Sequence, residues 1–112
     1  MTLTIHKDDS GTVPSTRLRR LFAVVTAGEK LSKKPGRVNL IFTSPRTIRS
    51  LNARWRGKDK VTDVLSFTIS ETPAENEILG EIYICNQRAR AQAKQYGGSL
   101  TSEYLRLACH GF

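Results

Sequence analysis

The sequence lacks the signals that target a protein to a membrane or to export. It contains no run of about 18 or more apolar residues, so no membrane-spanning helix is predicted. Its first ten residues, MTLTIHKDDS, lack the basic start and the apolar stretch of a secretory signal. Internal repeats and low-complexity tracts are also absent. We therefore expect a cytoplasmic protein with no membrane partner.

Cysteine is scarce in this chain. The two cysteines, Cys85 and Cys109, are too few to form a disulfide scaffold. In a reducing compartment they are expected to be free thiols. We predict that both side chains pack as small buried hydrophobic groups.

Acidic residues are the minority among the charged residues. The chain has 18 Lys and Arg but 10 Asp and Glu, which gives a formal net charge of +8. This excess of positive charge favours a polyanionic partner, and nucleic acid over an acidic metabolite. A membrane surface would attract the same charge, but the sequence has no basic amphipathic helix with an aromatic apolar face. Nucleic acid is therefore the predicted class of partner.

The periodicity of apolar residues predicts a single α+β domain spanning residues 1–112. Strands are predicted at 2–6, 38–43, 64–69 and 78–85, a turn at 8–11, and helices at 14–28, 44–55, 86–96 and 100–110. Gly80, inside the fourth predicted strand, indicates a bulge or a close approach to the backbone. The order of elements predicts a mixed sheet of about four strands covered by helices.

The second predicted helix has the clearest signals. Ser44 is suited to cap its N-terminus, and Pro45 is suited to its first turn. Ile48, Leu51 and Trp55 follow at i, i+3 and i+7, which places them on one apolar stripe. We therefore predict that Trp55 packs in the core and does not serve as a platform for stacking bases.

The segment ARWRGKDKVTD concentrates positive charge at the end of this helix. Arg54, Arg56, Lys58 and Lys60 occupy every second position. If the chain leaves the helix in an extended conformation, all four point to one side and can follow a phosphate backbone. The competing interpretation is a solvated basic loop. Gly57 weighs against that interpretation, because glycine in a charged turn often marks unusual backbone geometry or the close approach of a ligand.

His110 lies near the end of the last predicted helix. A lone histidine at such a position is more often structural than functional. Cys109 cannot easily pair with it, because neighbouring helical residues point about 100° apart. Glu103 and Arg106 share a helical face with His110, at i, i+3 and i+7, which would allow a local polar cluster.

Three segments match the motifs of one known family, in order. LNARWRGKDKVTDVLSF, residues 51–67, is similar to a family segment in which a helix ends in Arg-Gly-Lys-Asp and continues into Thr-Asp-Val-Leu-Ser-Phe. LGEIYIC is similar to the strand that follows. CHGF, residues 109–112, is similar to the start of a zinc motif, His-Gly-x-x-His with a third histidine further on. From about Val38 onward the chain thus resembles the YbeY family of bacterial endoribonucleases, although Val61 and Thr68 stand where the family commonly has proline.

The resemblance implies both a function and a site. It implies a zinc-dependent, single-strand-specific endoribonuclease that acts in ribosomal RNA maturation and ribosome quality control. Arg56 would be the catalytic arginine, His110 a zinc ligand, and Arg54, Lys58 and Lys60 the residues that bind flanking RNA phosphates. Ribosomal RNA and proteins of the small ribosomal subunit would be the partners.

The zinc motif raises a question about activity. Its second and third histidines would lie beyond Phe112, whereas a hydrolytic zinc site needs three protein ligands and one open position. We therefore expect a chain that is incomplete at its C-terminus, binds zinc weakly and is inactive or nearly so. One alternative is a non-catalytic RNA-binding or ribosome-associated module. Another is a small basic domain whose charge merely aids solubility.

Overall fold

The computed structural model of the chain describes residues 1–8 and 12–112, so residues 9–11 of the predicted turn lie outside the described residues. The elements, in chain order, are β1 (Thr2–Lys7), α1 (Ser15–Gly28), β2 (Arg37–Thr43), α2 (Pro45–Arg56), β3 (Val64–Thr68), β4 (Ile78–Cys85), α3 (Asn86–Tyr96) and α4 (Leu100–Gly111). This order is the one that the sequence predicts. Within the described residues, no helix combines the length and the apolar character needed to cross a bilayer.

The four strands form one mixed sheet in the order β1-β2-β4-β3. The β1–β2 and β2–β4 pairs are parallel, whereas β3 runs antiparallel to β4. The predicted α+β fold with a four-stranded mixed sheet is therefore confirmed. Because β3 lies at the edge of the sheet, its outer side offers main-chain groups to side chains instead of to another strand.

Helices cover the two faces of the sheet unequally. Side chains from α1, α3 and α4 pack on one face in the larger buried cluster, which includes Leu18, Phe22, Leu40, Phe42, Ile84, Ala89 and Leu107. On the other face, α2 buries Ile48 against Leu65 and Cys85. Since side chains alternate along a strand, Leu65 faces α2 whereas its neighbour Ser66 faces α4. The strand β3 therefore lies between the ends of two helices.

The ends of α2 follow the sequence signals. The Ser44 hydroxyl accepts a hydrogen bond from the Thr47 N–H at 3.3 Å, and Pro45 occupies the first turn. Gly57 ends the helix in the left-handed region, with φ of 67°. A residue with a Cβ adopts this conformation at a cost, which accounts for glycine here.

The prediction that Trp55 is a core residue is wrong. Its side chain is 63% exposed, whereas Ile48 on the same stripe is completely buried. Trp55 lies in the last turn of α2 and belongs to neither buried cluster. Periodicity correctly identifies the apolar face of the helix. The last turn, however, extends beyond the part of the core on which this face packs.

One of the two predictions about cysteine burial is confirmed. Cys85 is buried at the end of β4, and burial raises the pKa of its thiol. Cys109 is exposed, so the prediction for that residue is wrong. The reason is its position on α4, where Leu107 and Ala108 face the core and the next residue is turned away by about 100°. Both cysteines are free thiols, as predicted.

The prediction for Gly80 is confirmed. The register between β2 and β4 shifts at this point, with Arg37 opposite Ile78 and Val38 opposite Gly80. A Cβ atom at Gly80 would lie 2.7 Å from the main-chain oxygen of Phe67, which is closer than such atoms can approach. Glycine therefore allows β3 and β4 to pair tightly beside the bulge.

Candidate functional site

Arg56, the last residue of α2, reaches the edge strand of the sheet. Its Nη2 atom donates a hydrogen bond to the main-chain oxygen of Ser66 at 2.8 Å. Ser66 lies in the middle of β3, and no other strand of the described residues pairs with the outer side of β3. The edge strand thus supplies the acceptor that holds the arginine in place.

An aromatic ring also supports the Arg56 guanidinium. Its Cζ atom lies 5.5 Å from the centroid of the Phe67 ring, a distance at which a cation is attracted to the ring face. A guanidinium carries five N–H donors. Within the described residues, the Ser66 oxygen is the one acceptor found for them. The remaining donors on this exposed side chain are available to the oxygens of a phosphate group.

The same serine contacts the end of α4 on the opposite side of β3. Its hydroxyl donates to the main-chain oxygen of Gly111 at 3.3 Å. A Cβ atom at Gly111 would lie 2.6 Å from Cγ2 of Ile82 and 3.3 Å from Oγ of Ser66. Glycine therefore lets the last turn of α4 contact β3 and β4 directly. Through Ser66, the structure brings Arg56 close to the turn that carries His110.

His110 is exposed in the last turn of α4. Its side chain lies on the same turn as Gly111, whose main-chain oxygen accepts from Ser66. Across residues 1–8 and 12–112, however, no group of three or more His, Cys, Asp or Glu side chains could hold a metal ion. The described residues alone therefore do not meet the requirement of a hydrolytic zinc site for three protein ligands.

The polar cluster considered for α4 forms between two of its three members. Arg106 Nε donates to Glu103 Oε1 at 3.0 Å, and this interaction raises the pKa of Arg106. Arg106 also donates to the side chain of Gln92 on α3 at 3.2 Å. In the part of the chain that the structure describes, no hydrogen bond joins His110 to this pair. Its imidazole is therefore not held by the cluster.

The four cations of the basic segment lie at one end of α2, but the chain there is not extended. Arg54 and Arg56 are helical, and Gly57 then turns the chain. The Lys60 N–H donates to the main-chain oxygen of Lys58 at 2.9 Å, which bends the loop further. The extended conformation that would point all four side chains to one side is therefore not formed. All four side chains are nevertheless exposed.

Asn52 anchors this loop from inside the protein. Its main-chain oxygen accepts from the Lys58 N–H at 3.2 Å, and its side-chain Nδ2 donates to the Lys60 oxygen at 3.0 Å. Asn52 is only 2% exposed, so neither group can easily exchange this partner for water. The loop backbone is therefore fixed, while the Lys58 and Lys60 side chains extend into solvent.

An exposed ion pair holds the loop from outside. Arg49 Nε contacts Asp59 Oδ1 at 2.8 Å, and Nη2 contacts Oδ2 at 3.3 Å, a bidentate arrangement. The hydrogen bond and the opposite charge lower the pKa of Asp59 and raise that of Arg49. Asp59 is thereby paired with Arg49, which balances its negative charge beside the exposed cations.

A cleft opens beside the Arg56–Ser66–Gly111 contacts. It has a volume of about 220 Å³. Its lining includes Phe22, Ser66, Phe67, Glu81 and Gly111. Because Ser66 and Phe67 also contact Arg56, the cleft offers space for a ligand next to the residue that fixes the arginine.

Sequence reasoning missed three residues that build this site. The sequence does indicate a structural role for Asn52, because this residue follows Ile48 by four positions and so lies on the apolar stripe. A polar side chain that is buried there must find a hydrogen-bond partner. Ser66 and Gly111 carried no such signal. Their contact depends on the position of β3 at the sheet edge, which local sequence does not reveal.

Comparison with known proteins finds relatives of one family. Residues 4–112 match the profile of the family described as Endoribonuclease YbeY. A relative of that name from Staphylococcus carnosus is 34% identical over 113 residues, covering 94% of this chain and 74% of the relative. A relative from an Anaeromyxobacter species, also named Endoribonuclease YbeY, is 36% identical over 101 residues, covering 90% of this chain and 52% of the relative. The chain therefore spans about half to three quarters of the length of these proteins.

A solved structure shows the same fold. The solution structure of a protein from Thermotoga maritima is 29% identical to this chain and superposes with a TM-score of 0.63. The match covers 97% of this chain and 68% of the Thermotoga protein. The family profile and the identity to the Staphylococcus relative show that this chain belongs to the YbeY family.

Proposed function

We propose that this chain supplies the phosphate-stabilising arginine and the RNA-binding surface of a metal-dependent, single-strand-specific endoribonuclease. The observation that carries the proposal is the contact between Arg56 and Ser66, which holds the guanidinium beside the end of α4 and leaves most of its donors exposed. The endoribonuclease names of the relatives support the same reaction class.

Arg56 would act on the phosphate at which the RNA is cleaved. A guanidinium offers a planar pair of donors to two phosphate oxygens and stays charged while negative charge grows in the transition state. Arg54, Lys58 and Lys60 would contact flanking phosphates, since all three are exposed within a few residues of Arg56. Asn52 supports this role by fixing the loop that carries the two lysines.

Zinc is the cofactor that the family resemblance implies, with His110 as a ligand. When bound, zinc would lower the pKa of a water molecule so that hydroxide is available for hydrolysis. The described residues do not by themselves provide the three ligands for such a site. We accordingly propose that the 112-residue chain, assayed alone, binds zinc weakly and cleaves RNA slowly or not at all.

The proposed substrate is ribosomal RNA during its maturation and quality control. Proteins of the small ribosomal subunit are the proposed partners, and the cytoplasm is the proposed compartment. The formal net charge of +8 supports a polyanionic substrate of this kind. Part of this charge is concentrated in the exposed cations at the end of α2, which form a surface on which RNA can bind.

A cleavage assay tests this proposal. The protein is incubated with an end-labelled single-stranded RNA while zinc is titrated, and a chelator serves as the blank. We expect salt-dependent binding, and any cleavage should rise with zinc and disappear in Arg56→Ala. Cleavage that persists in Arg56→Ala would overturn the role of the arginine. Tight binding of about one zinc per chain would overturn the weak-zinc proposal.

A second function deserves its own test, because the described residues contain no cluster of metal ligands. The chain could serve as a non-catalytic RNA-binding or ribosome-associated module. In that case single-stranded RNA binds with the same salt dependence, but no cleavage occurs at any zinc concentration. Failure to bind RNA even at low salt would contradict both functions.

A further inference from the structure

Trp55 is the chain's one tryptophan, and most of its side chain faces solvent. Tryptophan is among the most buried residue types on average, yet this one is 63% exposed. It sits in the last turn of α2, immediately before Arg56. Exposing so large an apolar ring gives up the stabilisation that burial would provide, so a role other than packing needs to be considered.

The ring stands among the cations of the basic segment. The guanidinium Cζ of Arg54 lies 5.1 Å from the centroid of the Trp55 ring, within the range of a cation–π interaction. Arg56, Lys58 and Lys60 follow within five positions and are exposed. Proteins that bind single-stranded nucleic acid combine a cationic groove for phosphates with aromatic rings on which bases stack.

A protein partner fits this surface less well than RNA. Apolar docking sites are contiguous patches, whereas α2 exposes one large apolar side chain, that of Trp55. The groups that surround Trp55 in sequence are charged, and the nearest acidic residue, Asp59, is paired with Arg49. Charge complementarity therefore favours a polyanion that also presents flat apolar faces.

We propose that Trp55 stacks on an unpaired base of the RNA strand, next to the phosphate that Arg56 contacts. This inference rests on the proposed function, since it requires an RNA strand at Arg56. It adds a residue that selects single-stranded RNA, because a base inside a duplex has both faces covered by its neighbours. It also assigns the exposed ring to the substrate, a role that sequence periodicity did not suggest.

Fluorescence of the wild-type protein gives the first test, because one tryptophan reports on one position. A single-stranded oligonucleotide should quench the emission in a saturable way. Inorganic polyphosphate, which carries the charge without bases, should bind but leave the emission nearly unchanged. Binding of the oligonucleotide without any change in emission would overturn the stacking proposal.

Affinity measurements give the second test. Trp55→Ala should weaken binding of the oligonucleotide about ten-fold, whereas Trp55→Phe, which keeps an aromatic face, should recover most of the loss. Tyr96→Ala is the matched control, because Tyr96 is 73% exposed and, like Trp55, lies in the last turn of a helix that a left-handed glycine ends. The affinity of Tyr96→Ala for the oligonucleotide should stay within about two-fold of the wild-type value.

The two proposals fail in different ways. If the wild-type protein binds the oligonucleotide with a steep salt dependence but Trp55→Ala binds equally well, stacking is excluded and the proposed function survives. An equal loss in Trp55→Ala and Tyr96→Ala would also overturn the specific role of Trp55. If the wild-type protein does not bind the oligonucleotide at low salt, the proposed function fails and the stacking proposal fails with it.

Discussion

The Arg56 side chain is fixed to the main chain of Ser66 by a hydrogen bond of 2.8 Å. The Ser66 hydroxyl in turn contacts Gly111 at 3.3 Å, on the other side of β3. An arginine that is held before substrate arrives loses less side-chain entropy on binding phosphate than a freely rotating one. This contact therefore links the end of α2, the edge of the sheet and the end of α4 in one candidate site.

Replacing Arg56 by lysine separates the charge of this residue from its geometry. Arg56→Lys keeps the positive charge but loses the planar pair of donors, so turnover should fall about 100-fold while RNA affinity changes about two-fold or less. Single-turnover cleavage, at a zinc concentration at which the wild-type protein cleaves RNA, measures turnover. Equilibrium binding measures the affinity for RNA. Arg46→Lys, at an exposed arginine in the first turn of α2, is the control and should change neither turnover nor affinity much. A loss confined to affinity would contradict the assigned role.

Removing the Asn52 side chain should loosen the cationic loop. Asn52→Ala leaves the Lys60 carbonyl without its buried donor, so the free energy of unfolding should fall by about 1–3 kcal/mol. Urea unfolding measures this change. Ser50→Ala, an exposed position on the same helix, should change stability by less than about 0.5 kcal/mol. Equal stability of the two variants would show that Asn52 does not anchor the loop.

Adding one methyl group at Gly111 should separate α4 from the sheet. Gly111→Ala would place Cβ 2.6 Å from Cγ2 of the buried Ile82, which should cost about 1–3 kcal/mol of stability. Gly28→Ala is the matched control, because Gly28 ends α1 with nothing within 4 Å of the added Cβ. Its stability should be unchanged or slightly higher. Thermal unfolding compares them, and a Gly111→Ala protein as stable as Gly28→Ala would contradict the close packing.

The Arg49–Asp59 pair should give the loop a dependence on acidic pH. Because Arg49 lowers the pKa of Asp59, the pair stabilises the folded loop above the ordinary Asp value of 3.8. That contribution is lost as the pH falls through the lowered pKa of the folded state. An NMR titration of the Asp59 carboxyl should show a midpoint below 3.8, and Arg49→Ala should raise it. A midpoint at or above 3.8 in the wild type would contradict the pairing.

Most elements of the fold could be predicted from the sequence because their signals are local. Ser44 and Pro45 mark the start of α2, and Gly57 marks its end, through the conformations that these residues favour. The two-residue and 3.6-residue periods distinguished strands from helices elsewhere. Gly80 indicates a bulge or a close approach to the backbone, although the sequence does not identify the approaching group, the Phe67 carbonyl.

The depth of burial and the contacts between distant residues could not be predicted in this way. Periodicity shows which face of a helix is apolar, but it does not show where the core beneath that face ends. For this reason the sequence predicts a buried Trp55, whereas its side chain is exposed. Arg56 meets Ser66 because β3 forms the edge of the sheet beside β4. That order of strands arises from tertiary packing, so the sequence predicts Arg56 as a site residue but not Ser66 or the contact that joins them.

The claim that RNA binds beside Arg56 is tested most directly by NMR titration of isotope-labelled protein with a single-stranded RNA oligonucleotide. Resonances of the Arg56 side chain and of the main-chain amides at residues 57–60, Ser66 and Gly111 report on the site. We expect the largest shifts at these positions, saturating together and weakening as salt is raised. Shifts confined to the basic residues of α1, with none at Arg56 or Ser66, would contradict the claim.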